Sequence, residues 1–172
     1  MNEKIKQDFL AILGEELVPA MGCTEPIALA YAAAKGREAL GCDPERIVAH
    51  CSGNIIKNVR CVRIPNSGGM TGIEAACALG ALAGNAERHM EVLESVSDEG
   101  RAATAAFVAE RKCKVEFLES PIPLHFIIEL DGEGHHAEVE VRYSHQNIVR
   151  IIRDSETLHY VEDLREAVEV IP

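Results

Sequence analysis

The chain has 172 residues, 47% of them hydrophobic and 26% charged, which is typical of one soluble globular domain and excludes a disordered or fibrous protein. Its 28 acidic and 17 basic residues give a net charge of −11, so nucleic acid and anionic membrane surfaces are not expected as partners. The N-terminus carries charges at helical spacing and no apolar signal region, and we expect a cytoplasmic protein.

Two helices are predicted in the first quarter of the chain. Apolar residues recur at helical spacing over Glu3–Val18, which predicts an amphipathic helix. A second helix should start at Thr24 or Glu25, since threonine is a good N-cap, and end at Leu40 before a glycine. This second helix is rich in alanine, so neighbouring backbones could approach it closely.

The middle of the chain is predicted to mix short strands with helices. Ile47–Cys51 and Val59–Ile64 are β-type runs that bracket a polar connection. The glycine-rich segment Asn66–Gly72 should form a loop that leads into a helix over Ile73–Ala83. A further helix is predicted over Asp98–Lys112, with Ser97 as a plausible cap.

The last third of the chain changes to short strand-like runs joined by turns. These runs are Lys114–Glu119, Leu124–Leu130, Ala137–Tyr143 and Ile148–Arg153. Their short connections predict an antiparallel meander. Residues 1–172 should therefore form a single α+β domain, in which helices rich in small residues precede a β-meander. The final stretch, Val161–Val170, is weakly helical.

The six cysteines form no CxxC pair, and with no secretory signal they indicate reduced thiols rather than a disulfide framework. Five of them lie in or beside apolar runs and are interpreted as packing residues: Cys42, Cys51, Cys61, Cys77 and Cys113. The histidines show no metal-ligand spacing.

Cys23 differs from the other cysteines because it directly precedes a predicted helix. The partial positive charge of a helix N-terminus favours a thiolate, which could act as a nucleophile or a metal ligand. Cysteine at a helix start also occurs as plain packing, so position alone leaves both interpretations open.

Two polar segments could bind a small carboxylate. Asn54, Lys57 and Asn58 could hold an amino acid, although the residues alone favour a solvated turn in which the asparagines bond their own backbone. The glycine-rich loop precedes a helix start but lacks P-loop and dinucleotide spacing, so it is either an anion site or a tight turn. Its candidate residues are Asn66, Ser67, Gly68 and Gly69.

Three segments together resemble the iron-sulfur L-cysteine desulfidase family, also described as L-serine dehydratase alpha-chain-like. They are MGCTEPIALAYAAA at 21–34, SGNIIKNV at 52–59 and IPNSGGMTGIEAACALGALAGN at 64–85. SHQNIV at 144–149 also resembles a family segment, so the resemblance covers nearly the whole chain.

The resemblance implies a 4Fe-4S cluster in the complete enzyme, held by three cysteines with one iron open to substrate. Of these three ligands, only the cysteine of the MGCTEP motif has a counterpart in this sequence, and that counterpart is Cys23. The other two belong to a later segment that this sequence does not contain. The chain thus resembles the N-terminal part of a longer enzyme, and alone it should lack the complete cluster. The polar segments around Asn54 and Ser67 would then contribute to the substrate pocket.

The implied reaction is β-elimination, in which the open iron polarises the leaving group while a base, which the sequence does not identify, removes the α-proton. We expect L-cysteine to be converted to pyruvate, ammonia and sulfide. The alternatives are an L-serine dehydratase chain and a non-catalytic amino-acid-binding or partner domain. The implied partners are the amino acid and a missing C-terminal segment or second chain, and a homo-oligomer is left open.

Overall fold

The computed structural model describes residues 3–16 and 22–162 of the chain. The helices in this part are α1 (Glu3–Glu16), α2 (Thr24–Leu40), α3 (Gly53–Val59), α4 (Gly72–Ala83) and α5 (Asp98–Ala109), with a 3-10 segment at Ala86–Glu91. The strands are β1 (Arg46–Cys51), β2 (Cys113–Phe117), β3 (His125–Gly132), β4 (His135–Arg142), β5 (Ile148–Arg153) and β6 (Glu156–Tyr160). The predicted α+β fold is confirmed.

The six strands form one sheet in the order β2-β1-β3-β4-β5-β6. Strands β3, β4 and β5 pair antiparallel with their sequence neighbours, which confirms this part of the predicted meander, and β6 continues it. The predicted first strand of the meander, Lys114–Glu119, is wrong in its pairing: β2 lies at the other edge of the sheet and pairs parallel with β1, which separates it from β3. The pairing is parallel because the chain between β1 and β2 crosses over through α3, α4 and α5.

The core lies between the sheet and the pair α2 and α4, which pack against each other. The inner face of β3 contributes Phe126, Ile128 and Leu130, all fully buried, at the alternate positions expected of a strand. Small residues let the two helices come very close. A Cβ added at Gly80 of α4 would lie 2.1 Å from the carbonyl oxygen of Ala30 in α2.

The predicted helix limits are largely confirmed. Gly41 ends α2 in the left-handed region at φ 84°, and the Ser97 hydroxyl caps α5 by accepting from the Gly100 amide at 3.1 Å. The last of these helices stops at Ala109 rather than Lys112, because Arg111 has a positive φ of 56°. The N-cap of α2 is Cys23 rather than Thr24.

Two predictions about secondary structure are wrong. The expected strand Val59–Ile64 does not form, because Ile55 and Val59 are buried one helical turn apart and the segment before Arg60 is α3. Strand β6 was not predicted, since it is short, all five of its residues are exposed, and its apolar residues are only Leu158 and Tyr160. Most of the predicted helix Val161–Val170 lies outside the described residues.

Among the described residues, no helix has the length and apolar character needed to cross a membrane.

The face of the sheet opposite α2 and α4 holds a buried carboxylate, Glu140. Its Oε1 accepts a hydrogen bond from Arg142 Nε at 2.7 Å and lies 2.9 Å from His125 Nε2, and its Oε2 accepts from Arg150 Nε at 3.0 Å. The other imidazole nitrogen of His125 lies 2.8 Å from the Ser120 hydroxyl. Burial alone would raise the pKa of Glu140, but these hydrogen bonds and the two guanidinium charges lower it to about 2.

This pKa predicts acid lability. Because the folded pKa of Glu140 is about 2 against an ordinary 4.5, its ionised form stabilises the fold above pH 4.5, and that contribution is lost as the pH falls toward 2. The shift corresponds to about 3 kcal/mol of unfolding free energy. In urea unfolding, the stability difference between wild type and Glu140→Gln should shrink over this pH range. The same change at the exposed Glu156 should give no such trend, and a constant difference for Glu140→Gln would contradict the assignment.

Candidate functional site

Cys23 lies on the surface at the start of α2, next to the glycine-rich loop. It is the N-cap residue, with extended backbone angles, and it is exposed. The preceding Gly22 has a φ of 123°, and a Cβ there would lie 3.4 Å from Pro65 Cγ. The chain therefore enters α2 directly against the residues that begin the loop.

The thiol of Cys23 is engaged by the first turn of its own helix. Its sulfur donates to Glu25 Oε2 at 3.2 Å, and the Thr24 hydroxyl donates to the same oxygen at 3.4 Å. Desolvation, together with the hydrogen bond to Glu25 and its negative charge, raises the pKa of the Cys23 thiol. The backbone N–H groups of Thr24 and Glu25 at the helix start lower this pKa, as expected, but desolvation and the Glu25 carboxylate raise it by more.

His145 approaches the same carboxylate from a different part of the chain. It lies in the connection between β4 and β5, and its Nε2 is 4.0 Å from Glu25 Oε1, which is too long for a hydrogen bond. That nitrogen is buried and has no hydrogen-bond partner among the described residues. Sequence reasoning did not select His145, since the only signal was its place in the SHQNIV segment.

Asn66 and Ser67 hold the glycine-rich loop in shape. The Asn66 amide nitrogen donates to the carbonyl of Leu93 at 2.8 Å, and its oxygen accepts from Arg101 Nη2 at 2.9 Å. Ser67 is buried, and its hydroxyl donates to the Ile64 carbonyl at 2.7 Å. Both side chains are occupied within the protein, so they are less suited to contact a ligand than the sequence suggested.

Gly68 and Gly69 form the exposed tip of the loop. Both have a positive φ, 77° and 100° respectively, which favours glycine. Their backbone N–H groups donate no hydrogen bond to the part of the chain that the structure describes. A Cβ at Gly69 would meet nothing within 4 Å. The tip is therefore exposed and its two amides make no close hydrogen bond within the described residues, while Asn66 and Ser67 fix the part of the loop before it.

The other predicted binding residues lie together on α3. Asn54, Lys57 and Asn58 are exposed and share one face of this helix, opposite the buried Ile55 and Val59. They are thus on a short helix rather than in the expected turn between strands. No hydrogen bond or ion pair within the described residues joins this face to Cys23.

The remaining cysteines do not complete a metal site with Cys23. Cys51, Cys77 and Cys113 are buried, and desolvation raises the pKa of Cys51 to about 12. Cys42 lies just beyond the opposite end of α2, and Cys61 is exposed. Within residues 3–16 and 22–162 no group of three or more histidine, cysteine or acidic side chains could hold a metal ion. Cys23 could supply one thiolate, and further ligands would have to come from elsewhere.

The chain is similar to proteins named UPF0597 protein. It is 40% identical to one from Treponema denticola over 158 residues, 92% of this chain and 37% of the relative. Relatives from Finegoldia magna and Desulfitobacterium hafniense are 41% and 39% identical over 89% and 95% of this chain. This chain spans 37% to 38% of the length of these three curated relatives.

No protein-family model matches the chain, and no solved structure matches it.

Proposed function

We propose that this chain is the N-terminal part of an iron-sulfur-dependent β-eliminating lyase that converts L-cysteine to pyruvate, ammonia and sulfide. The observation that supports this proposal is that two further segments lie beside the residues that flank Cys23. Gly22 of the MGCTEP segment lies close to Pro65, which directly precedes the glycine-rich loop, and the SHQNIV segment brings His145 within 4.0 Å of Glu25. These are segments in which the sequence resembles the iron-sulfur lyases.

In this proposal Cys23 is the one thiolate that the chain gives to a 4Fe-4S cluster. Its position fits that role, because the sulfur is at the surface and can be reached by ligands from another polypeptide. A cluster bound there would supply a Lewis acid for the departing thiol of the substrate. Binding requires Cys23 to lose the proton that it now shares with Glu25.

The substrate carboxylate would bind at the loop tip. The free amides of Gly68 and Gly69 precede the N-terminus of α4, whose partial positive charge also favours an anion. Asn66 and Ser67 then position the tip rather than contact the substrate. Asn54, Lys57 and Asn58, which lie on α3, are also proposed to contribute to the pocket. The base that removes the α-proton is not assigned.

An L-serine dehydratase chain is the first alternative, since the same site would eliminate water in place of sulfide. A non-catalytic amino-acid-binding or partner domain is the second. The second alternative is favoured by one observation: Cys23 is the sole cysteine placed at this site within the described residues.

Pyruvate release separates these functions. The chain should be compared with a longer protein in which it replaces the matched segment of the Treponema denticola relative, both reconstituted anaerobically with iron and sulfide. We expect pyruvate from L-cysteine with the longer protein only. Pyruvate from L-serine alone would favour the dehydratase, and pyruvate from the short chain would contradict the ligand assignment. If the relative itself is active but the longer protein is not, the partner-domain alternative is favoured.

A further inference from the structure

Helix α1 carries an apolar face that the rest of the described chain leaves half exposed. We call this face the α1 stripe, and it consists of Ile5 (47% exposed), Phe9 (58%), Ile12 (54%) and Leu13 (46%), with Leu10 (59%) beside it. At 3.6 residues per turn these positions lie on one side of the helix. Gln7 and Ala11 lie on the other side, and Asp8 lies at the edge of the stripe next to Ile12.

A helix with such an apolar stripe needs another surface to bury it. A 14-residue helix is at best marginally stable in water without tertiary packing, and most of the stability of protein helices comes from burying their apolar face. Contiguous large apolar side chains left at the surface mark interaction sites. The other long helices place theirs in the core, where Ile27 and Leu29 of α2 and Leu79 of α4 are fully buried.

The comparisons indicate what could cover the stripe. Each relative from Treponema denticola and Finegoldia magna matches most of this chain, but the match spans only 37% of the relative. Most of the relative is therefore additional polypeptide. We infer that the α1 stripe is the docking surface for the polypeptide that corresponds to this additional length, whether it lies in the same chain or in a second one.

Helix α1 precedes the candidate site in the sequence. It ends at Glu16, shortly before the exposed Cys23, so the docking surface and the candidate site belong to the same part of the chain. The stripe has the spacing of a helix that inserts into a groove, with anchors at Ile5, Phe9 and Ile12. The inference depends on the proposed function in one respect only: the docked polypeptide is taken to supply the other cysteine ligands of the proposed cluster.

Co-purification tests the docking surface. The tagged chain is co-expressed with the segment of the Treponema denticola relative that it does not match, in aerobic medium without added iron. The wild-type chain should retain that segment. The double variant Phe9→Asp and Leu13→Asp should reduce the retained amount by at least about tenfold, as loss of central apolar anchors does. The matched control, Gln7→Asp and Ala11→Asp, adds the same two charges on the opposite face and should retain it.

Three outcomes would overturn the inference. The first is that the wild-type chain does not retain the segment, and the second is that the stripe variant retains it equally well. The third is that, without the segment, the wild-type chain is a dimer and the stripe variant is a monomer. The melting temperature of each variant alone checks the fold, which should not change because all four positions are exposed. A retained complex that releases no pyruvate after reconstitution would reject the lyase and leave the docking surface standing.

Discussion

Replacing Cys23 by alanine should abolish cluster binding and pyruvate release in the longer protein that joins this chain to the unmatched segment of the Treponema denticola relative. A residue that only orients a metal ligand contributes about 10- to 100-fold to affinity or activity. Loss of the ligand itself should therefore lower turnover by more than about 100-fold, together with the bound iron. The fold should be unaffected, since Cys23 is exposed and, within the described part of the chain, its side chain donates a hydrogen bond only to Glu25.

The matched control for this experiment is Cys61→Ala. Cys61 is the other exposed cysteine in the described part of the chain, and it does not lie at a helix start. Its loss should change neither the iron content nor the rate of pyruvate release. Iron content and turnover that survive Cys23→Ala would remove Cys23 from the site, whereas equal losses in both variants would indicate a general effect of removing surface thiols.

The second large effect concerns stability. Gly80→Ala should lower the free energy of unfolding by about 3 kcal/mol, the upper end of the usual cost of overpacking. The added methyl group would lie 2.1 Å from the Ala30 carbonyl oxygen and 2.5 Å from its Cα. Backbone atoms inside a helix cannot move aside alone, so α2 and α4 would have to separate along their whole contact.

Gly36→Ala provides the comparison for Gly80→Ala. Its added methyl group would also be too close to a neighbour, at 2.3 Å, but that neighbour is Cδ1 of Leu130, the end of a flexible side chain. A small rotation relieves this contact, and alanine is favoured over glycine in a helix by about 1 kcal/mol. Urea unfolding should therefore show a much smaller loss for Gly36→Ala, and equal losses would contradict the backbone contact.

Local patterns predict those elements whose burial follows a simple period. The alanine-rich α2 and the alternating strands β3 and β4 are of this kind. The run Val59–Ile64 misleads because its β-branched residues suggest a strand, while the burial of Ile55 and Val59 one turn apart makes the preceding segment a helix. The parallel pairing of β2 depends on a crossover of three helices, which no local pattern contains.

The parts of the candidate site that depend on neighbouring residues can likewise be predicted from the sequence. Its cysteine stands next to a helix start, which is visible in the sequence. The fixation of Asn66 is not visible there, because its partners Leu93 and Arg101 are distant in the chain. The approach of His145 to Glu25 depends on the packing of a sheet connection against α2. The raised pKa of Cys23 depends on its desolvation and on the orientation of the Glu25 carboxylate, neither of which the sequence shows.

The way in which Asn66 and Ser67 are bonded has a thermodynamic consequence for the loop tip. Their side chains hold the part of the loop before its tip against Leu93, Arg101 and Ile64 before any ligand arrives. A small anion that binds to the Gly68 and Gly69 amides would thus meet donors that are already oriented. Little conformational entropy would be lost in ordering the loop, so even a few hydrogen bonds could give measurable affinity.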